Sequence, residues 1–236
     1  HGGWSLGGFA GAGVLLVFLK ILSFSVNESI WGLLIVLFIA MVIVSQFMLT
    51  FGSDPNAKIT KKSKSPLSFH PIALIFGLLS FVSYLVEGAV GDWSALYLFE
   101  DKGIVIEEAV MGVMLFNGTM CIGRLLGNRL GKHLTSKQVV VGGYLLGSIA
   151  MGLIVFLPGH ASMYTYLLLG ISLAMIVPNL FSAMGEQNVI PMTQAVATST
   201  MLGYMGILMG PALIGFIAHG TSLTVAFIVL TTLLVV

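Results

Sequence analysis

Charge is scarce in this chain. Ten Lys and Arg and nine Asp and Glu are spread through 236 residues, 8% of the total, which is too few to solvate a globular surface of that length. With 57% hydrophobic residues and a mean hydropathy of +1.05, the composition excludes an ordinary water-soluble domain and specifies a polytopic membrane protein. Cysteine is scarcer still. The single Cys121 excludes an intramolecular disulfide and a Cys-based metal cluster, and reads as a small helix-packing residue. No basic cluster with interleaved aromatics is present to bind nucleic acid. Neither H-E-x-x-H nor a usable G-x-S-x-G occurs, and His1, His70, His133, His160 and His219 are scattered, so no metal, no cofactor and no enzymatic activity are expected. An initiator Met and a basic, cleavable leader are missing at His1, and the last apolar run stops at Val236; both ends read as cut, so a fragment of a longer protein is expected.

What the chain has is apolar runs long enough to cross about 30 Å of hydrocarbon as helices. Eight are expected: Gly2 to Phe24, Ile30 to Phe51, Phe69 to Phe99, Glu108 to Gly127, Gln138 to Leu157, Met163 to Met184, Thr193 to Ala218, and a short Ser222 to Val236. Residues 53–68 form the longest polar stretch, with Lys58, Lys61, Lys62 and Lys64. It divides residues 1–52 from residues 69–236. Placing those lysines in the cytoplasm puts Arg124, Arg129, Lys132 and Lys137 there too, leaving Lys20 and Lys102 outside. The segment with Glu100, Asp101, Glu107 and Glu108 then lies outside and reads as a solvated loop.

Glu87 and Asp92 are the acidic residues standing inside an apolar run. A carboxylate facing lipid costs about 2.5 kcal/mol or more, so Glu87 is expected to face the bundle interior or a wet cavity. The alternative is that it lies towards the outer end of its helix and reaches interfacial water. Ser80, Tyr84, Glu87, Gly91 and Ser94 share one helix side by their spacing, whereas Asp92 is turned away and reads as an end-of-helix residue. Polar stripes recur at Asn117, Cys121, Arg124 and Asn128, and at Thr193, Ala197, Thr200 and Tyr204, and His1, Ser5 and Gly8 begin another in the first span; together they suggest a shared aqueous path, with interhelical hydrogen bonding as the competing account. Ser199, Gly203, Gly206 and Gly210 read as a packing seam. Pro178 and Pro211 each remove a backbone hydrogen bond and invite a bend. Leu6 to Gly11 and Met201 to Gly206 echo each other six spans apart, as two six-helix halves would give.

G-R-L-L-G-N-R-L-G-K, from Gly123 to Lys132, resembles the cytoplasmic loop signature of the major facilitator superfamily, Gly-x-Leu-x-Asp-Arg-x-Gly-Arg/Lys. Leu126, Arg129, Gly131 and Lys132 match it; Asn128 replaces the acid, and Arg124 holds the first Gly position with Gly123 one residue early. With E-G-A-V-G-D-W-S and G-P-A-L-I-G-F, the chain is most similar to bacterial inner-membrane transporters near the sugar and fucose permease branch. The resemblance implies an all-α transmembrane bundle, seen in part from about the fifth helix to the twelfth. It implies a secondary transporter working by alternating access on a small solute, as a monomer when full length. A proton-coupled symporter of a sugar-like solute is expected, with Glu87 as the protonatable group and Tyr84, Asn117, Thr200 and Tyr204 contributing to the substrate path. Trp93 either stacks on the solute or belongs to the interfacial belt. An efflux carrier for amphipathic compounds, or a transport-inactive sensor of the same fold, is the alternative. In the loop motif, Gly123, Arg124, Asn128, Arg129, Gly131 and Lys132 are the candidate positions; Arg124 alternatively pairs across the bundle or reaches to the inner surface.

Overall fold

A computed structural model describes residues 2–47, 67–130 and 134–235; of the side chains of residues 2–5 and 128–130 nothing is said. The described residues are helical, with no strand among them. Helix α1 (Gly2–Leu16) runs on through a π-helical turn, Val17–Ile21, into α2 (Val26–Ser45). After the polar stretch come α3 (Pro71–Glu100), α4 (Ile106–Leu130), α5 (Ser136–Phe156), α6 (Gly159–Ala174), α7 (Ile176–Glu186), α8 (Met192–Gly220) and α9 (Leu223–Leu233). Among the described residues six spans are long and apolar enough to cross a membrane, α6 and α7 counting as one; α1 with its π-helical extension and α9 are shorter apolar helices. Of the basic linker expected at residues 53–68, residues 53–66 lie outside the described residues.

Local chemistry sets the helix ends. Ser25 and Glu28 form a reciprocal capping box, the Ser25 N–H donating to Glu28 Oε2 at 2.8 Å and the Glu28 N–H to Ser25 Oγ at 3.3 Å. This starts α2 four residues before its apolar run. Thr135 and Gln138 do the same for α5. Pro71 at the first position of α3 lacks the N–H that a helix leaves unpaired anyway, and His70 Nδ1 accepts from the Ile72 N–H at 3.3 Å. Gly103, at φ +69°, makes the sharp return from α3 to α4 that a Cβ would strain.

The two prolines behave differently. Pro178 has no N–H to offer Ala174, where α6 ends, and the chain breaks at Met175 before resuming as α7. The Asn179 backbone N–H and side chain both donate to the Met175 carbonyl, at 3.2 and 2.8 Å, fixing the start of α7. At Pro211, by contrast, α8 continues unbroken.

Packing is tightest between α3 and α8. A Cβ added at Gly206 or Gly210 would run into the backbone of Phe81 or Leu85, so the expected seam brings the two helices to backbone contact. Hydrogen bonds stitch the same seam. Ser80 Oγ meets Ser199 Oγ at 2.7 Å, Ser199 Oγ donates to the Phe76 carbonyl at 3.2 Å, and Trp93 Nε1 donates to the Pro211 carbonyl at 2.9 Å. Trp93 is thereby a helix-joining residue. Within the bundle Tyr97 stacks on Phe227 with centroids 4.1 Å apart, beside buried Phe116, Met120, Met151 and Tyr166. Large apolar side chains such as Trp31, Phe38, Leu208 and Phe216 point outward, as lipid-facing surfaces require.

Candidate functional site

Helix α3 is 30 residues long, so Glu87 lies about 2 Å along the axis from its midpoint at 1.5 Å per residue. It is not an end residue reaching interfacial water. Its carboxylate is 7% exposed, and Oε2 accepts from Arg124 Nη2 of α4 at 2.9 Å; the Arg124 side chain is 4% exposed. Each charge therefore has its counter-ion where water is almost excluded, the arrangement that makes an intramembrane charge tolerable. Arg124 was one of the loop-motif candidates. The structure places it inside the bundle, within α4 and paired across to α3, rather than in the loop.

A cavity of about 760 Å³ opens beside Glu87, between α1 and α2 on one side and α3, α4 and α8 on the other. From α3 it is lined by Glu87, Gly88, Gly91, Asp92 and Ala95, mostly short residues whose spacing of three and four leaves one helix face recessed. Gly8, Gly11 and Ala12 do the same on α1. Asn117 of α4 lines the cavity too; its Nδ2 donates to the Val113 carbonyl at 3.0 Å while its Oδ1 rests against Gly8, where a Cβ would come within 2.6 Å. Asp92 is corrected by this geometry. It is exposed to the same cavity as Glu87, eight residues short of the helix end, and is not a terminal residue.

The remaining substrate-path candidates lie elsewhere. Tyr84 is buried, packs against Gly203 and stacks on Tyr204 with ring centroids 6.0 Å apart. Tyr204 is exposed on the bundle surface and Thr200 is half-buried; none of these three lines the cavity. Gly123 packs against Ala174 and Ile171 of α6. Asn128 and Arg129 continue α4, but their side chains are not described, and Gly131 and Lys132 lie outside the described residues.

Arg124 also borders a second cavity of about 430 Å³, enclosed by the end of α4, the start of α5 and α7, with Thr135, Ser136, Asn179, Ser182 and Glu186 in its wall. The two cavities share no lining residue. At the opposite end of the bundle, Glu108 is not a free loop carboxylate: it pairs with Lys20 at 3.3 Å and with His160 at 2.9 Å. Lys102 Nζ donates to the Val155 and Leu157 carbonyls at 2.6 and 2.9 Å, holding the α3–α4 turn onto the end of α5. Among the described residues no three His, Cys, Asp or Glu side chains converge to hold a metal ion.

Sequence reasoning reached the α1 face only at Gly8, and missed Gly11 and Ala12, Asp92 as a cavity residue, and the second cavity. A signal for the first two was present in the spacing of Gly8, Gly11 and Ala12 and of Gly88, Gly91, Asp92 and Ala95, since rows of short side chains at helical period leave a groove. The second cavity depends on the break at Met175 and had no such signal.

Comparison with known proteins gives the same picture. The chain is 36% identical, over 232 residues, to an uncharacterized MFS-type transporter of Yersinia pestis, a match covering 96% of this chain and 58% of the relative. It is 31% identical over 151 residues to the membrane protein MosC of Rhizobium meliloti, covering 64% of this chain and 37% of that protein. To an uncharacterized transporter of Sinorhizobium fredii it is 28% identical over 159 residues, 66% of this chain and 41% of that protein. The chain thus spans between about a third and three-fifths of the curated relatives it matches. No family model matches it. No solved structure matches it either. In architecture and in sequence, then, the chain is an all-helical polytopic membrane protein similar to MFS-type transporters.

Proposed function

We propose that this chain is part of a secondary transporter of the major facilitator superfamily, residing in a bacterial inner membrane, that carries a small solute by alternating access with proton coupling at Glu87. The observation that carries the reading is the pairing of Glu87 with Arg124 at mid-bundle, on the wall of a cavity large enough for a small solute. A carboxylate so placed exchanges between paired and protonated forms only at considerable electrostatic cost. Such a cost is what ties proton binding to a change of state. Asn117 and Asp92 supply hydrogen-bonding groups for a hydroxylated, sugar-like solute.

A second reading has a specific feature in its favour. Leu15, Leu33, Leu37, Val110, Val113 and Phe116 make most of the cavity wall apolar, which suits export of an amphipathic compound. The deciding experiment measures sugar uptake into energised vesicles bearing the intact protein, wild type against Glu87→Gln, at several pH values. Loss of concentrative uptake with solute exchange retained is the expected result. An unchanged pH profile removes Glu87 from coupling, and movement of an amphipathic dye opposite to the sugar assay's direction favours export.

A further inference from the structure

The ion pair stands between two separate cavities. Glu87 lines the central one and Arg124 lines the one at the α4–α5 end of the bundle, while the pair itself is 7% and 4% exposed. Both spaces are far larger than the roughly 30 Å³ that one water occupies; the α4–α5–α7 cavity has a mainly polar wall, and Glu87, Asp92 and Asn117 give the otherwise apolar central one groups that water can bond. We propose that the Glu87–Arg124 pair is the partition of a water path through this half of the bundle. The α4–α5–α7 cavity is then the vestibule through which Glu87 exchanges its proton with solution at that end. This rests on the coupling role given to Glu87 above.

The chemistry balances simply. A hydronium ion in the water path gives its proton to the Glu87 carboxylate and leaves as water; Arg124 keeps its own proton throughout, so the pair passes from neutral to a net single positive charge. The guanidinium, having lost its counter-ion, is then drawn towards the polar second cavity. Glu186 lies in that wall, its Oε1 accepting from Ser136 Oγ at 3.0 Å, and offers the next carboxylate. Among the described residues, charged and titratable groups around the pair are few. Asp92 and Tyr84 stand on α3, Cys121 lies one turn from Arg124 on α4, Tyr204 of α8 stacks on Tyr84, and α7 contributes Glu186, while the described side chains that α1 presents to the central cavity are glycines, Ala12 and Leu15. Among the described residues, withdrawal of Arg124 leaves no other basic side chain in either cavity wall to close the gap. Arg124 is thus a positioning residue that acts on Glu87 and separates the two waters.

The test needs no solute. The intact protein, with Cys121→Ala, is reconstituted into liposomes holding a pH-sensitive dye, and proton entry is driven by a potassium diffusion potential. The paired protein should hold the gradient. Arg124→Ala should leak protons. So should Glu87→Gln/Arg124→Ala, which leaves no buried charge uncompensated and therefore folds even where the single variant does not. Adding Ser182→Cys to a leaking variant and capping it with a bulky maleimide should abolish the leak, because Ser182 lines the vestibule. Tight liposomes from the folded double variant, or a leak that capping leaves unchanged, overturn the proposal. Failure of the transport reading looks different: the wild type then moves no solute, while the leak and its block persist.

Discussion

Removing one partner of the Glu87–Arg124 pair should cost far more than removing both. At 2.9 Å and an effective dielectric of about 20, the attraction is about 6 kcal/mol. Against it stands a desolvation cost of several kcal/mol for each buried ion, so the intact pair contributes little net stability over a neutral pair of similar size. A single substitution removes the attraction and leaves the cost. Arg124→Met should therefore destabilise by about 3–5 kcal/mol, and Glu87→Gln by a similar amount reduced by whatever the amide oxygen still accepts. The double variant Glu87→Gln/Arg124→Met should lose no more than about 2 kcal/mol, which makes the coupling energy about 3 kcal/mol or larger. The assay is reversible unfolding in mixed micelles, followed by tryptophan fluorescence and by the reactivity of Cys121. That buried thiol lies one turn from Arg124 on α4, so its labelling rate reports opening of the same interface. Additive losses, within about 0.5 kcal/mol, would refute the assignment of a coupled buried pair.

Other predictions use the same unfolding assay. Gly206→Ala places a methyl against the Phe81 backbone and should cost about 1–3 kcal/mol, whereas Gly91→Ala meets nothing within 4 Å and should be neutral or stabilising by up to about 1 kcal/mol. Equal effects at the two glycines would contradict the packing of α3 on α8. Ser199→Ala removes the bonds to Ser80 and the Phe76 carbonyl and should cost about 1 kcal/mol while leaving solute uptake unchanged; loss of uptake at unchanged stability would move Ser199 into the transport path. Tyr144→Phe deletes the hydroxyl that donates to the Leu79 carbonyl between α5 and α3, with an expected loss of about 1 kcal/mol, and no loss would show that water replaces the hydroxyl there.

Much of the architecture was legible because lipid leaves few choices. Hydrocarbon forces every backbone group to be paired within its own segment, so an apolar run of about 20 residues is a helix before any neighbour is known. The seam of Ser199, Gly203, Gly206 and Gly210 was legible for a related reason, since helices approach closely only where side chains are small. The start of α2 was misplaced because Ser25 and Glu28 pair through local polar chemistry that an apolar window does not register. Pro178 signalled a bend, yet the same signal at Pro211 left α8 unbroken, so the proline alone did not decide the outcome.

For the site, the sequence placed Glu87 inside a membrane helix and Arg124 on the same helical stripe as Asn117, and that much follows from hydropathy and a 3.6-residue period. It left Arg124 with three destinations. The partner was chosen by how α3 and α4 pack, which brings two residues 37 positions apart to 2.9 Å. The same packing turned Asp92 into a cavity residue and left Tyr84, Thr200 and Tyr204 outside that cavity. Sequence alone determined that this is a chain of membrane helices with a carboxylate that has to avoid lipid, because the cost of exposing backbone or carboxylate to lipid is local and large. Only the tertiary structure decided which charge answers which and where the cavities lie, because those depend on distances between helices that no single helix contains.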